Sequence, residues 1–295
     1  MSRHTRIAWP ARAASVLLAL LTALALMICC AALLAHSLLT SVSLHESVAL
    51  DARVTDAQMA RITARSEELA EQYGFAPESV LSVVTKDSVT AYSREVIAWW
   101  MGLLGDEPVL ETPAYPTADI EAAVRADELF QASVPAVQQR TIARDSVAYE
   151  MGRTVSRAVL PLRTELITLA MPRLLEKISL PVWMGRLAKL PLVCGGAALG
   201  LMLMILLLLR ARPDKAALYT GTALAGAALA VLGLTALLPL LNLGGMAAEL
   251  SDMLALQLRV LYGRLALRAL LTALPLLACG YALLFLHQRR GKARP

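Results

Sequence analysis

His36, His45 and Glu46 are the first residues of the chain whose chemistry suits a metal ion. A helix offers a metal two side chains on one face at a spacing of four, as paired histidines in zinc sites do. His36 and His45 stand nine apart and do not meet that geometry. They are expected to be hydrated groups just beyond an apolar run, with no metal and no cofactor. Cys29, Cys30, Cys194 and Cys279 all fall inside apolar stretches, in neither a disulfide framework nor a zinc spacing. They read as small apolar packing residues. Ile28 is too large to precede a lipidated cysteine, and no Asn-x-Ser/Thr acceptor occurs around the single Asn242. The sequence holds no phosphate-binding glycine loop, no G-x-S-x-G, no H-E-x-x-H and no G-x-G-x-x-G. No catalytic, cofactor-binding or metal-binding residue is therefore assigned, and the expectation is a protein that is not an enzyme.

Small residues at a spacing of four carry more information. Gly196 and Gly200 form G-x-x-x-G, and Gly221–Ala225 and Gly226–Ala230 repeat the small-xxx-small spacing. Such faces let helix backbones approach closely in lipid, so packing within a bundle is expected, with a face toward a second copy of the chain as the sharper alternative. Trp99 and Trp100 are expected in a polar domain's core, and Trp183 at a membrane interface.

Those faces need membrane helices to sit on. At 57% hydrophobic residues and a mean hydropathy of +0.59 over 295 residues, the chain is too apolar for an ordinary soluble domain. Residues 13–36 form a first span, read as uncleaved because the apolar run exceeds a signal peptide's core and no A-x-A site follows. Further spans are expected at 188–209, 216–241 and 268–286. Their interiors contain no Asp, Glu, Lys or Arg. Ion-coupled transporters and proton pumps generally bind or relay their ion on such groups, so an autonomous transporter is disfavoured.

Residues 45–187 are patterned as amphipathic helix, and 20 of the chain's 23 acidic residues lie between Glu46 and Glu176. Thr55 to Gln58 reads as a capping box for a helix carrying Met59, Ile62, Ser66, Leu69 and Tyr73 inward, stopped by Gly74. A short helix is expected after Pro77, and another helix from about Lys86 to Leu104, stopped by Gly105. A loop is expected over 106–116, then one helix capped near Thr117 with Ile120, Val124, Phe130 and Val134 inward. From Ala136 a jointed tract, striped by Val147, Met151, Val155 and Ala158, leads toward the second span. Pro161, Pro172 and Pro181 divide it and are the candidate hinge positions. Residues 242–267 read as an amphipathic connector, either interfacial or an extension of the fourth span.

The formal charge of +5 does not mark a nucleic-acid binder, because the basic residues cluster at span ends. The segments 1–12, 210–215 and 287–295 carry ten Lys or Arg in under 30 residues. The positive-inside rule places all three in the cytoplasm. The fold class expected is an all-α membrane protein with four transmembrane helices and a large helical extracytoplasmic domain between helices 1 and 2. Its Ala, Leu and Arg usage resembles that of a high-GC bacterial chain, and a bacterial cell membrane is the expected location. This order of segments resembles, in topology alone, the permease subunits of bacterial cell-division complexes and macrolide exporters. The resemblance implies an ABC-type complex with a separate ATPase, although an all-helical outer domain departs from that family pattern. The residues themselves favour a binding, sensing or scaffold protein. Its expected partners are membrane lipid, a protein met through the extracytoplasmic domain, or a second copy; nucleic acid is not expected.

Overall fold

The structure is a computed structural model that describes residues 9–104, 112–160, 180–237 and 251–292. Every regular element among the described residues is helical, and four helices are long and apolar enough to cross a membrane. The chain divides into two units.

The helical unit starts where the first long helix, α1 (Trp9–Thr40), ends. Ser41 is extended and caps α2 (Val42–Ala49), its hydroxyl accepting from the Leu44 amide at 3.3 Å. α3 (Ala52–Tyr73) is capped by Asp51, not by the Thr55–Gln58 box. Asp51 is itself a strong capping residue, and it sits one turn earlier. Thr55 and Gln58 are thus freed to be buried inside the helix. Ile62, Ser66 and Leu69 point inward as their spacing demands, and Gly74 closes the helix at φ +74°, in the left-handed region. A side chain there would be strained, and its Cβ would also meet Ser133 at 2.8 Å.

α4 (Pro77–Leu81) has its proline at the first helical position, where no amide is needed. α5 (Lys86–Leu104) opens with a reciprocal cap: the Thr85 amide donates to Ser88 Oγ at 3.0 Å and the Ser88 amide to Thr85 Oγ1 at 3.3 Å. The single helix expected after Thr117 is two, α6 (Ala118–Ala126) and α7 (Glu128–Ser133), broken at Asp127. Ile120, Val124, Phe130 and Val134 are nevertheless all buried. α8 (Ala136–Thr141) continues through a π-helical stretch, Ile142–Ala148, into α9 (Tyr149–Val159). Val147, Met151, Val155 and Ala158 are fully buried along it. The tract leaves helical geometry at Leu160, as expected of a residue before proline.

In this unit α3 packs along α9, α2 against α5, and α6 against the π-helical stretch. Their apolar faces meet around Phe130, Ile62, Leu69, Ile120 and Met151, none more than 1% exposed. Gly152 lets the chain pass close, since a Cβ there would lie 2.5 Å from Thr117 Cγ2. The start of the last helix also belongs here: Val260 packs with Val48 and Val54, and Gln257 donates to the Val159 carbonyl at 3.2 Å.

The membrane unit is built from α1, α10 (Leu180–Leu208), α11 (Pro213–Leu237) and the main part of α12 (Asp252–Lys292). α10 begins eight residues before the expected span and keeps Pro191 inside it. Pro181 lies in its first turn, where the missing amide costs nothing. In apolar surroundings an internal proline is tolerated when neighbouring groups serve the freed backbone. Residues 252–267, read as either an interfacial connector or an extension of the fourth span, are the opening turns of α12, which continues past Pro275. Nothing in 252–267 stops a helix except a lone Gly263, so continuation costs little.

Ala19 packs with Ile205, Leu209, Ala216 and Ala223 at one end of this unit. Farther along, Cys30 packs with Ala228, Val231, Ala269 and Ala273. Ser15 and Thr22 are buried and donate to carbonyls four residues back, Ala11 and Leu18, so neither hydroxyl is left unsatisfied.

Candidate functional site

A polar grouping in the helical unit lies where α5, α9 and the segment before α6 meet. Tyr92 and Tyr115 pack edge to face, 5.4 Å between ring centroids. The Tyr92 hydroxyl donates to the Pro113 carbonyl at 2.9 Å and lies 3.1 Å from Ser156 Oγ. The Tyr115 hydroxyl pairs with Ser88 Oγ at 2.8 Å. Burial raises the Tyr115 pKa; the Ser88 hydrogen bond opposes this and the Asp119 charge adds to it. Tyr115 therefore stays neutral and cannot serve as a base near neutral pH. The Ser88 hydroxyl faces a phenol and backbone carbonyls, with no base beside it in this network. The arrangement binds the 113–115 segment to two helices.

Asp127 is the second built polar position. Its Oδ1 accepts from the Phe130 amide at 2.9 Å, its Oδ2 from the Ala76 amide at 3.1 Å, and Ser79 Oγ donates to Oδ2 in a short hydrogen bond. Burial pushes the carboxyl up. The Ser79 hydroxyl and the Phe130, Ala76 and Leu129 amides more than offset that and hold its pKa below the usual range. One side chain thus caps α7 and ties α4 to it. The sequence signal was present, since aspartate inside a helical pattern favours a cap.

Gln58 is 1% exposed and donates to the Ala158 carbonyl at 3.3 Å, while its Oε1 is buried with no partner. His36 lies in α1, and His45 and Glu46 lie in α2, all half-buried. Among the described residues no three His, Cys, Asp or Glu side chains gather as a metal site would require. Trp99 is buried and its ring lies 6.3 Å from that of Trp100. Trp183 is 57% exposed beneath the Arg186 guanidinium, 5.4 Å away.

In the membrane unit the small residues separate into two sets. A Cβ at Gly221 would meet the Gly280 carbonyl at 2.9 Å, and one at Gly280 would meet the Ala225 amide at 2.8 Å. Gly221 and Ala225 are therefore where α11 and α12 come backbone to backbone. Gly280 escaped the reading because its own spacing brings no second glycine. Nothing lies within 4 Å of a Cβ built at Gly196, Gly200 or Gly226, and Ala230 is half-buried. Of the hinge candidates, Pro161 and Pro172 lie outside the described residues; Pro181 is in the first turn of α10.

Polar contacts tie the helices at both ends of the membrane unit. At one, Arg268 donates to Ser37 Oγ in a short hydrogen bond between α12 and α1. At the other, His287 Nδ1 lies 2.8 Å from the Asp214 carbonyl, joining the end of α12 to the start of α11, and the Arg289 guanidinium sits 4.7 Å over the Phe285 ring.

No protein-family model, curated protein or solved structure matches the chain.

Proposed function

We propose that the chain is a non-enzymatic multi-pass protein of the bacterial cell membrane, with its helical unit outside the cytoplasm, where it binds or senses a partner. The observation that carries this reading is α12. Its first residues are built into the helical unit through Val260 and Gln257, and the same unbroken helix continues as a span-length apolar helix to Lys292. One continuous helix therefore gives a change in the helical unit a direct chain route into the membrane unit.

The charge pattern supports cytoplasmic termini and a cytoplasmic 210–215 turn. Cysteines placed one at a time at Glu68 and Glu128 are expected to react with a membrane-impermeant maleimide in intact cells, and one at Asp214 to react only after permeabilisation. Labelling at Asp214 without labelling at Glu68 would reverse the orientation and with it the sensing role.

The order of one span-length helix, a helical unit and three more such helices also favours a second reading, a permease-like subunit. Co-purification with an ATPase whose turnover changes when the helical unit is deleted would select it.

A further inference from the structure

We infer that α1 carries a binding site for an anionic phospholipid, with Arg12 holding the headgroup and an apolar groove below it taking an acyl chain. A shallow groove of about 390 Å³ runs along the outer face of α1, lined by Arg12, Ala13, Val16, Leu17 and Leu20. From Arg12 to Leu20 the helix rises ~12 Å. One cation stands at the top of the groove and its floor is apolar: Val16 is 45% exposed, Leu17 58% and Leu20 63%. That is the polarity order of a phospholipid lying beside a span, charged at the membrane surface and hydrocarbon below.

The sign of the headgroup follows from the surrounding charge. Ala19, two turns below Arg12, packs with Leu209 and Ala216, so this end of α1 lies at the α10–α11 turn with Arg210, Arg212 and Lys215. The Asp214–His287 contact brings the end of α12 to the same turn, with Arg289 and Arg290. Among the described residues, the acid at this end is Asp214, and one of its carboxylate oxygens is buried. A net negative headgroup is favoured there by the whole basic end, and a zwitterionic one is not. Arg12 is exposed, above the groove, and aligned with it.

The test uses the full chain in nanodiscs of equal phosphatidylglycerol and phosphatidylcholine, with lipid retained on the protein read by native mass spectrometry. Phosphatidylglycerol is expected to be retained in excess, and Arg12→Gln to cut that excess about fivefold. Val16→Trp, which fills the groove and leaves the charge, is expected to lower it as well. Arg290→Gln, at the same end but away from the groove, is expected to leave most of it. Helical circular dichroism checks that each variant is folded, and Val16→Trp decides the matter if Arg12→Gln is not. Equal loss in Arg12→Gln and Arg290→Gln would show diffuse attraction to a basic end and overturn the site. So would a groove variant that retains lipid as the wild type does, or displacement of the lipid by millimolar inorganic phosphate.

Discussion

The two units bury opposite kinds of side chain. In the helical unit the inside holds Phe130, Ile62, Leu69, Ile120 and Met151. In the membrane unit the buried contacts are largely alanines with Cys30, Gly221 and Gly280, while Leu192, Leu199 and Leu207 are 78%, 69% and 63% exposed. Water drives large apolar groups inward in the first case. Lipid tails are as apolar as leucine, so nothing drives them inward in the second, and close contact falls to residues that let backbones touch. A leucine therefore carries different structural weight in the two halves of one chain.

The largest effect follows directly. Leu69→Ala, at 1% exposure in the helical unit, is expected to cost about 2–5 kcal/mol, from lost transfer energy and the cavity left behind. Leu199→Ala, at 69% exposure in α10, removes a side chain with few protein neighbours and is expected to change the bundle's stability by under about 0.5 kcal/mol. Denaturant titration of each variant in detergent, with fluorescence reporting the helical unit and circular dichroism the whole chain, would test this. Equal costs would break the comparison.

Next come the glycines. Gly280→Ala places a methyl group 2.8 Å from the Ala225 amide, and backbone cannot yield as a flexible side chain does. The helices must separate, at about 1–3 kcal/mol. Gly196→Ala meets nothing within 4 Å and replaces glycine inside a helix, so it is expected to be neutral or slightly stabilising in the isolated protein. If Gly196 instead faces a second copy, Gly196→Leu would weaken self-association, which sedimentation equilibrium in detergent would reveal.

Asp127 adds a pH dependence confined to the helical unit. Its folded pKa lies below the ordinary carboxylate value of about 3.9. The unfolded chain therefore binds the proton more readily. The stabilisation is complete above the unfolded pKa and is lost as pH falls through the folded one. Asp127→Asn should remove that loss and, at pH 7, cost about 1–2 kcal/mol, because an amide nitrogen cannot accept from both Ala76 and Ser79. Urea midpoints from pH 7 to pH 2.5, wild type against Asp127→Asn, would show the two curves converging at the acid end. Parallel curves would mean that Asp127 is not a buried acceptor.

How far the chain could be read without its structure differs between the units for the same reason. Period gave the helical faces of the polar region, down to Ser66 standing in for an apolar residue, because water enforces the pattern. Local competition defeated the reading at two points. Asp51 outbid the Thr55–Gln58 box, and Asp127 cut one helix into two. In the membrane unit composition identified four span-length helices. It could not say which small residues would meet, since lipid imposes no inward face. Gly221 and Gly196 look alike in sequence and part only when α12 brings Gly280 to one of them. The continuity of α12 was one of two open readings, because a polar stripe followed by an apolar run is compatible with one helix or two.

The smallest expected effect concerns charge on the helical unit's surface. Arg65 on α3 lies 2.6 Å from Glu68 and 3.4 Å from Glu150 on α9, and Arg153 approaches Glu150 at 3.6 Å. The hydrogen bond that Arg65 donates to Glu68 is the leading reason that the Arg65 pKa is raised, and Arg65 remains charged at every pH of interest. Its side chain is 29% exposed and that of Glu150 32%, so water screens both, and each must give up rotamer freedom to hold the contact. The Arg65–Glu150 pair links two helices already joined by a dry core, so its coupling should be small. A double-mutant cycle with Arg65→Ala and Glu150→Ala is expected to return about 0.5 kcal/mol at low salt and less at 0.5 M, where the Debye length falls to about 4 Å. A coupling above roughly 2 kcal/mol that survives high salt would mean that the pair is effectively buried. The α3–α9 seam would then depend on polar contacts, as the membrane unit's seams depend on small ones, and the contrast between the two units would weaken there.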